Sequence, residues 1–161
     1  VINGVHKLHP DINFILLGVG FYSPDLEIMK KKINEYNLQD VIVLKEWLDH
    51  EHTMEYVKNS ILYLTVSRYE GLPLAVIEAM AMGKCIVASK VVGNVDCVKD
   101  KYNGRVIDLN VEDFVNSICE LIENRELLEE YSRNSRKMYE DNFDIKKRIN
   151  LLEDIYRQVV K

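Results

Sequence analysis

Two glutamates separated by seven residues are the side chains of this sequence that are best suited to chemistry. Glu70 and Glu78 lie on either side of Gly71-Leu72-Pro73, within the segment SRYEGLPLAVIEAM. An ionised carboxylate only accepts hydrogen bonds, so it suits the hydroxyls of a sugar or ribose and repels a bare phosphate. A helix that begins at Pro73 presents unpaired amides and the positive end of its dipole to an anion. The segment therefore predicts a site for a phosphorylated sugar.

Short apolar runs that alternate with helical patterns must position this segment. The runs lie at 13–17, 41–44, 61–65, 85–88 and 105–107, and three of the intervening segments predict helices at about 24–36, 51–59 and 73–82. Continuous apolar strands separated by helices predict an α/β fold, a doubly wound parallel sheet of the Rossmann type. From about residue 111 the pattern is helical only, with helices at 113–123, 126–141 and 145–160. We expect one domain over residues 1–161, of which 111–161 is a helical C-terminal part.

Sheets of this kind bind ligands beyond the carboxyl ends of their strands. Gly18-Val19-Gly20 and the loop at 68–72 both follow predicted strands, so we expect them to meet at one crevice. The two glycines lack the third glycine of a dinucleotide fingerprint, and a tight turn from strand to helix explains them nearly as well. Gly83 predicts the end of the helix that carries Glu78, because glycine readily adopts the left-handed conformation.

Composition and charge exclude several classes of protein. The net charge of -5 over 161 residues argues against a sequence-independent nucleic-acid binder. No apolar run is long enough to span a bilayer. The three cysteines have no metal-ligand spacing and lie in apolar segments, which predicts reduced core thiols in a cytoplasmic protein.

Other candidate residues allow two interpretations each. The run Asp49-His50-Glu51-His52 has the residue types of a metal cluster, but Asp49 as a helix N-cap with Glu51 in the first turn is favoured. Trp47 has the chemistry to stack near a base, although packing over the end of the sheet is the favoured interpretation. Arg68 is equally suited to pairing with a phosphate and to a solvated loop.

The stretch SRYEGLPLAVIEAMAMGKCIVAS, residues 67–89, resembles the E-x7-E signature of retaining glycosyltransferases with the GT-B fold. In particular it is similar to family 4, the glycosyl transferases group 1. Flanking features agree in order: Gly18-Val19-Gly20 after a strand, Gly93-Asn94 after the last core strand, and Tyr102-Asn103-Gly104 before the next. The resemblance covers nearly all of the chain and implies that it is the C-terminal, donor-binding half of a GT-B fold.

The resemblance also implies a role for each matched residue. Glu70 would be the catalytic residue and would hold the hydroxyls of the donor sugar beside the reacting carbon. The amides of Gly71, Leu72 and Leu74, on either side of Pro73, would meet the sugar or diphosphate in this substrate-binding segment, and Glu78 would bind the ribose. Gly18 and Gly20 would lie near the nucleotide, and Trp47, in the loop 45–48, near the base.

Some features of the family pattern are missing from this sequence. The family has a proline where this chain has Cys85, and a glycine, a proline and a glutamate at Val92, Val95 and Asp96, in the predicted loop 90–96. The first strand of the domain, with the basic pair for the diphosphate, and the N-terminal acceptor domain are expected to be absent from the chain. We therefore expect the isolated chain to bind donor weakly and to be inactive.

The implied reaction transfers a sugar from a UDP-, GDP- or ADP-linked donor to a hydroxyl acceptor with retention, in polysaccharide or glycolipid biosynthesis. The enzyme is expected to be cytoplasmic, at the inner face of the membrane through its N-terminal domain. No Asp-x-Asp pair occurs, so no metal cofactor is expected. Two alternatives remain open: a non-catalytic module that binds a nucleotide or sugar phosphate, and a sugar-nucleotide epimerase with the same two-domain fold.

Overall fold

A computed structural model describes residues 1–19 and 26–159 of the chain. Its first two thirds alternate short strands with helices, and its last third is helical. In chain order the elements are α1 (Ile2–Leu8), β1 (Phe14–Leu17), α2 (Leu26–Glu35), β2 (Ile42–Lys45), α3 (His50–Asn59), β3 (Leu62–Thr65), α4 (Leu74–Ala81), β4 (Cys85–Ser89), α5 (Val92–Cys97), β5 (Gly104–Ile107), α6 (Val111–Glu123), α7 (Arg125–Asn142) and α8 (Ile145–Val159). The predicted helix start at residue 24 lies outside the described residues.

The described residues form two compact units, each built from two separate stretches of the chain. The first unit takes its residues from Val1–Ser60 and Asn110–Asn124, and the second takes them from Ile61–Leu109 and from Arg125 onward. Each unit has its own parallel ladder, β1 with β2 in the first and β3-β4-β5 in the second. The prediction of an α/β fold with parallel strands and C-terminal helices is confirmed.

In the first unit, β1 and β2 pair from Phe14 opposite Ile42 to Leu17 opposite Lys45. The helices α1 and α6 pack against each other very closely: a Cβ atom on Gly4 would lie 2.5 Å from a methyl carbon of Val115. Phe114 is almost completely buried in this unit. Burial of such a side chain contributes roughly 1.5–3 kcal/mol to folding.

In the second unit, β4 is the central strand and every residue from Cys85 to Ser89 is buried. The helices α4 and α7 both pack against it. A continuous apolar strand is typical of a parallel sheet that is covered on both faces. Gly104 is the residue of β5 that pairs with Ile86 of β4. The two strands are so close there that a Cβ atom on Gly104 would overlap the Ile86 carbonyl oxygen. Only glycine fits at this position of β5.

The helix α5 is the main difference from the sequence-based prediction, which has a loop at 90–96. Gly93 and Asn94 have poor helix propensity, so the local sequence gives little sign of a helix. The structure nevertheless has one turn and a half of helix here, with Gly93, Asn94 and Cys97 buried. Tertiary contacts outweigh propensity in this segment.

The last helix, α8, has an apolar face that is open to solvent. Its exposed apolar residues recur at helical spacing: Ile145, Ile149, Leu152, Ile155, Tyr156 and Val159. The amphipathic pattern predicted for 145–160 is therefore present, but this face is not part of the core of its unit.

Candidate functional site

The predicted glutamate pair lies at the carboxyl end of β3. The strand ends at Thr65, residues 66–72 form a loop that we call the glutamate loop, and α4 follows. Glu70 is in this loop and Glu78 is in the second turn of α4, and both are partly exposed. This is the edge of a parallel sheet at which ligands bind, so the local setting agrees with the prediction.

The start of α4 differs in detail from the expected helix start. Pro73 is the N-cap and is buried, and the first helical residue is Leu74. The Leu74 amide already donates to the Leu72 carbonyl at 2.9 Å, and the Val76 amide donates to the Pro73 carbonyl at 3.0 Å. Within the part of the chain that the structure describes, the amides of Gly71, Leu72 and Ala75 have no acceptor. Of the three amides expected to meet the ligand, Gly71 and Leu72 therefore lack an acceptor, and Leu74 does not.

Tyr63 on β3 is a neighbour of both glutamates that the sequence analysis missed. Burial raises the pKa of its phenol above the ordinary value, and the negative charges of Glu70 and Glu78 raise that pKa further. The two carboxylates thus act on one phenol. Side chains alternate between the two faces of a strand, so Tyr63 shares a face of β3 with Thr65. The Thr65 hydroxyl lies 3.1 Å from that of Ser67 in the glutamate loop. This alternation was the sequence signal that could have indicated Tyr63.

The backbone of the glutamate loop is hydrogen-bonded to the end of β4 and to α5. The Ser89 hydroxyl donates to the Ser67 carbonyl at 2.5 Å, and the Gly93 amide donates to the Glu70 carbonyl at 3.2 Å. Ser89, Gly93 and the neighbouring Asn94 are buried. No site role was expected for these residues, because their partners lie about twenty residues away along the chain.

The remaining predicted site residues belong to the first unit. Gly18 follows β1 with a φ of 75°, and its amide donates to the Lys45 carbonyl at 3.1 Å. A Cβ atom at Gly18 would meet no atom within 4 Å, so the left-handed backbone, rather than space, favours glycine there. Gly20 lies outside the described residues. Trp47, in the loop after β2, is 73% exposed, so its expected packing over the sheet is wrong.

The run from Asp49 to His52 forms the N-cap and first turn of α3, as predicted. Asp49 is the N-cap, and its carboxylate accepts from the His52 amide at 2.9 Å and lies 2.7 Å from Nδ1 of the His52 ring. These hydrogen bonds lower the pKa of Asp49 and raise the pKa of His52. In the described residues, no group of three His, Cys, Asp or Glu side chains is placed to hold a metal ion.

The sequence profile of the family described as "Glycosyl transferases group 1" matches residues 1–138. The chain belongs to this family. Its fold is the C-terminal, Rossmann-like half of the GT-B fold, as the resemblance implied. Three of the positions at which this chain departs from the family pattern, Val92, Val95 and Asp96, lie in α5.

Proteins similar to this glycosyl transferases group 1 domain are longer than the chain. It is 29% identical over 156 residues to the UDP-Gal:alpha-D-GlcNAc-diphosphoundecaprenol alpha-1,3-galactosyltransferase of Escherichia coli, covering 96% of this chain and 39% of that protein. An uncharacterized glycosyltransferase of Methanocaldococcus jannaschii is 35% identical over 148 residues, 91% of this chain and 37% of that protein. The chain therefore spans about two fifths of the length of these curated relatives.

A solved structure has the same fold at low sequence identity. The structure of Anabaena HepE in complex with UDP-glucose superposes with a TM-score of 0.83 at 20% identity, covering 99% of this chain and 43% of that one. Within the described ranges of this family member, no helix is both long enough and apolar enough to cross a membrane.

Proposed function

We propose that this domain binds the nucleotide-diphosphate sugar of a retaining glycosyltransferase that transfers the sugar to a hydroxyl acceptor. The observation that carries the proposal is the order of groups after β3. Glu70, the unpaired amides of Gly71 and Leu72, and Glu78 follow one another along the glutamate loop and α4. Hydroxyl acceptors and anion donors thus alternate as a sugar diphosphate requires.

Each group has a separate task in this proposal. The Glu70 carboxylate accepts hydrogen bonds from hydroxyls of the donor sugar and so positions the reacting carbon of that sugar. The amides of Gly71 and Leu72 and the positive end of the α4 dipole stabilise the negative charge that develops on the departing diphosphate. Glu78 accepts from the ribose hydroxyls. The protein contributes positioning and electrostatic stabilisation, and we propose that it needs no metal ion.

Two comparisons support a nucleotide sugar as the ligand. The Escherichia coli relative is named for UDP-Gal, and the Anabaena structure was solved with UDP-glucose. The Escherichia coli protein is also named for a diphosphoundecaprenol substrate, which supports a lipid-linked acceptor for the whole enzyme. We propose that the whole enzyme acts at the inner face of the membrane, in polysaccharide or glycolipid biosynthesis. We propose that the acceptor is bound by a further domain and that this chain alone binds donor weakly without turnover.

The test is a donor-binding screen on the full-length protein that contains this domain. UDP-glucose, GDP-mannose and ADP-glucose are compared by ligand-detected NMR, with Glu70→Ala and Glu78→Ala as site variants. Glu126→Ala is the matched control, because Glu126 is an exposed glutamate in the first turn of another helix of the same unit. We expect one donor to bind, both site variants to lose binding by about tenfold or more, and the control to bind normally. Binding that survives both site variants contradicts the proposal.

Turnover experiments separate the proposed enzyme from its alternatives. A glycosyltransferase consumes donor faster when acceptor is added, whereas an epimerase converts the donor without acceptor and a binding module leaves it intact. Proton NMR of the product gives the anomeric configuration and so tests retention. Activity that persists in excess EDTA is expected, and a strict requirement for Mg²⁺ or Mn²⁺ rules out the metal-free mechanism.

A further inference from the structure

Two backbone carbonyls of the glutamate loop accept hydrogen bonds from the last residue of β4 and from α5. Ser67 accepts from the Ser89 hydroxyl at 2.5 Å, and Glu70 accepts from the Gly93 amide at 3.2 Å. One bond is at the start of the loop and the other is at the glutamate itself. The position of the Glu70 backbone therefore depends on the junction between β4 and α5.

Asn94 sets the direction of the Ser89 bond. Its side-chain nitrogen lies 3.0 Å from the Ser89 carbonyl oxygen and 3.2 Å from the Ser89 hydroxyl. A carbonyl oxygen can only accept, so the amide group that faces it must be the NH₂ end. A serine hydroxyl has one proton, and since it accepts from Asn94, that proton is directed to Ser67. Both Asn94 and Ser89 are fully buried, so water does not compete for the bonds between these two residues.

Gly93 fits against the loop without space for a side chain. A Cβ atom at Gly93 would lie 2.4 Å from the Gly71 carbonyl oxygen and 3.0 Å from the Glu70 Cβ. These distances are well below ordinary contact, so the start of α5 touches the loop at the glutamate and at the following glycine. The loop cannot approach α5 further, and the bond from the Gly93 amide keeps it from moving away.

We propose that Asn94, acting through Ser89, and Gly93 are positioning residues that fix the Glu70 carboxylate and the Gly71 amide for the donor. The inference rests on the proposed function for its catalytic consequence, but its structural part does not. Asn94 does not touch the donor in this proposal. It acts through the Ser89 hydroxyl on the loop backbone.

Asn103 provides a matched comparison for a role in stability alone. It is also a fully buried asparagine of the second unit, with Oδ1 2.7 Å from the Lys99 amide and Nδ2 3.1 Å from the Cys97 carbonyl. It precedes β5, at the amino end of the sheet, whereas Ser89 ends β4 at the carboxyl end. Asn103→Ala thus removes two buried hydrogen bonds without touching the glutamate loop.

The first experiment needs no ligand. Amide hydrogen exchange is followed in the full-length protein for wild type, Asn94→Ala and Asn103→Ala. We expect exchange at Gly93 to be on the order of fivefold faster in Asn94→Ala, because the loop loses its anchor, and to be unchanged in Asn103→Ala. Ser89→Ala removes a single oxygen atom and tests the same link if Asn94→Ala does not fold. Equal exchange at Gly93 in the loop variants and in Asn103→Ala overturns the proposal.

The second experiment measures the dissociation constant of the donor that binds most tightly among UDP-glucose, GDP-mannose and ADP-glucose, below the melting temperature of every variant. We expect Asn94→Ala and Ser89→Ala each to raise the dissociation constant about fivefold. The double variant should have a dissociation constant no higher than that of the worse single variant, because both substitutions act through one hydroxyl. Asn103→Ala should melt earlier yet bind as wild type does. Additive losses, or an equal loss in Asn103→Ala, overturn the inference. Absence of binding in wild type refutes the proposed function instead, and hydrogen exchange still decides the structural part.

Discussion

At the scale of single residues, Tyr63 gives a direct readout of the two glutamates. Its phenol is largely buried, and the charges of Glu70 and Glu78 both raise its pKa. Neutralising either carboxylate should therefore lower the pKa of Tyr63. We expect Glu70→Gln and Glu78→Gln each to shift the titration of this tyrosine to lower pH, measured by NMR of ¹³C-labelled tyrosine and assigned with Tyr63→Phe.

Glu126→Gln is the control for this titration, since Glu126 lies in the first turn of α7 and is not among the charges that act on Tyr63. An unchanged pKa of Tyr63 in both site variants would show that the carboxylates are not gathered around this phenol.

The contact between Asp49 and His52 makes the start of α3 sensitive to pH. The pKa of His52 is raised from 6.5 by Asp49 and further by Glu55, so its stabilising effect is complete below pH 6.5 and is lost as the pH rises through the folded pKa. The pKa of Asp49 is lowered from 3.8, so its effect is present above pH 3.8 and is lost as the pH falls through the folded pKa. Both effects are complete only between these two values.

We therefore expect His52→Ala to lower the free energy of unfolding most near pH 5 and least near pH 8.5, measured by urea unfolding across pH 3 to 9. Asp49→Asn is the control, because asparagine also caps helices but does not carry the charge that attracts His52. The free energy of unfolding of Asp49→Asn should change little with pH over the range in which the pair of Asp49 and His52 titrates. An equal loss for His52→Ala at both pH values is inconsistent with the ion pair.

At the scale of elements, α7 secures the C-terminal end of α4. The Arg136 guanidinium donates to the Ala81 carbonyl, at the end of α4, and lies 2.6 Å from the Glu140 carboxylate. Arg125 on the same helix has a similar pairing with Glu129 at 3.0 Å, four residues on. The two arginines thus differ in the bond to α4, and Arg136 also lies 5.6 Å from the centroid of the Tyr139 ring.

This difference predicts unequal costs for the same substitution. We expect Arg136→Ala to lower the free energy of unfolding by about 1 kcal/mol, since a helix carbonyl loses a charged donor that is half exposed. Arg125→Ala should cost less than about 0.5 kcal/mol, because an exposed pair four residues apart contributes little. Urea unfolding followed by circular dichroism measures both values. Equal costs would mean that the bond to Ala81 does not stabilise α4.

The helices α6 and α8 have similar amphipathic sequences but different burial. Phe114 on α6 is 2% exposed, whereas Ile149 on α8 is 47% exposed. We expect Phe114→Ala to lower the free energy of unfolding by roughly 3–5 kcal/mol and Ile149→Ala to change it by less than about 0.5 kcal/mol. A large cost for Ile149→Ala in the isolated chain would show that α8 packs more tightly than the structure describes.

At the scale of the whole molecule, the three cysteines report on the opening of each unit. All three are free and buried: Cys119 lies in the first unit, and Cys85 and Cys97 lie in the second. Burial raises the pKa of Cys85 to about 12 and that of Cys97 to about 11, and it also raises the pKa of Cys119. A buried thiol that keeps its proton is a poor nucleophile.

We expect all three thiols to react slowly with Ellman's reagent at pH 8 and rapidly in 8 M urea. Variants that retain only Cys119 or only Cys85 should then report the opening of the first and second unit separately. Because the unfolded thiols release protons near pH 9 and the folded ones do not, stability should fall as the pH rises above 9. Fast labelling of the Cys85-only variant under native conditions would contradict its burial.

Most of the secondary structure and the location of the glutamate pair can be predicted from local sequence patterns. Apolar runs of strand length mark β1 to β5, and Asp49 marks the start of α3, because these signals depend on neighbours along the chain. Glu70 and Glu78 could be found for the same reason, because a glycine, a proline and the start of a helix lie between them in a short segment. Their predicted chemistry follows from residue types and spacing that need no distant contact.

The contacts that hold this site in place depend on the tertiary structure. It formed α5 from a segment with poor helix propensity, brought Ser89 and Gly93 against the carbonyls of Ser67 and Glu70, and placed Tyr63 near both carboxylates. It also left Trp47 and the apolar face of α8 exposed, although their sequences allow burial. The physical reason is that hydrogen bonds between distant segments, close contacts at glycine and burial depend on which elements pack together, and local sequence patterns do not contain that information.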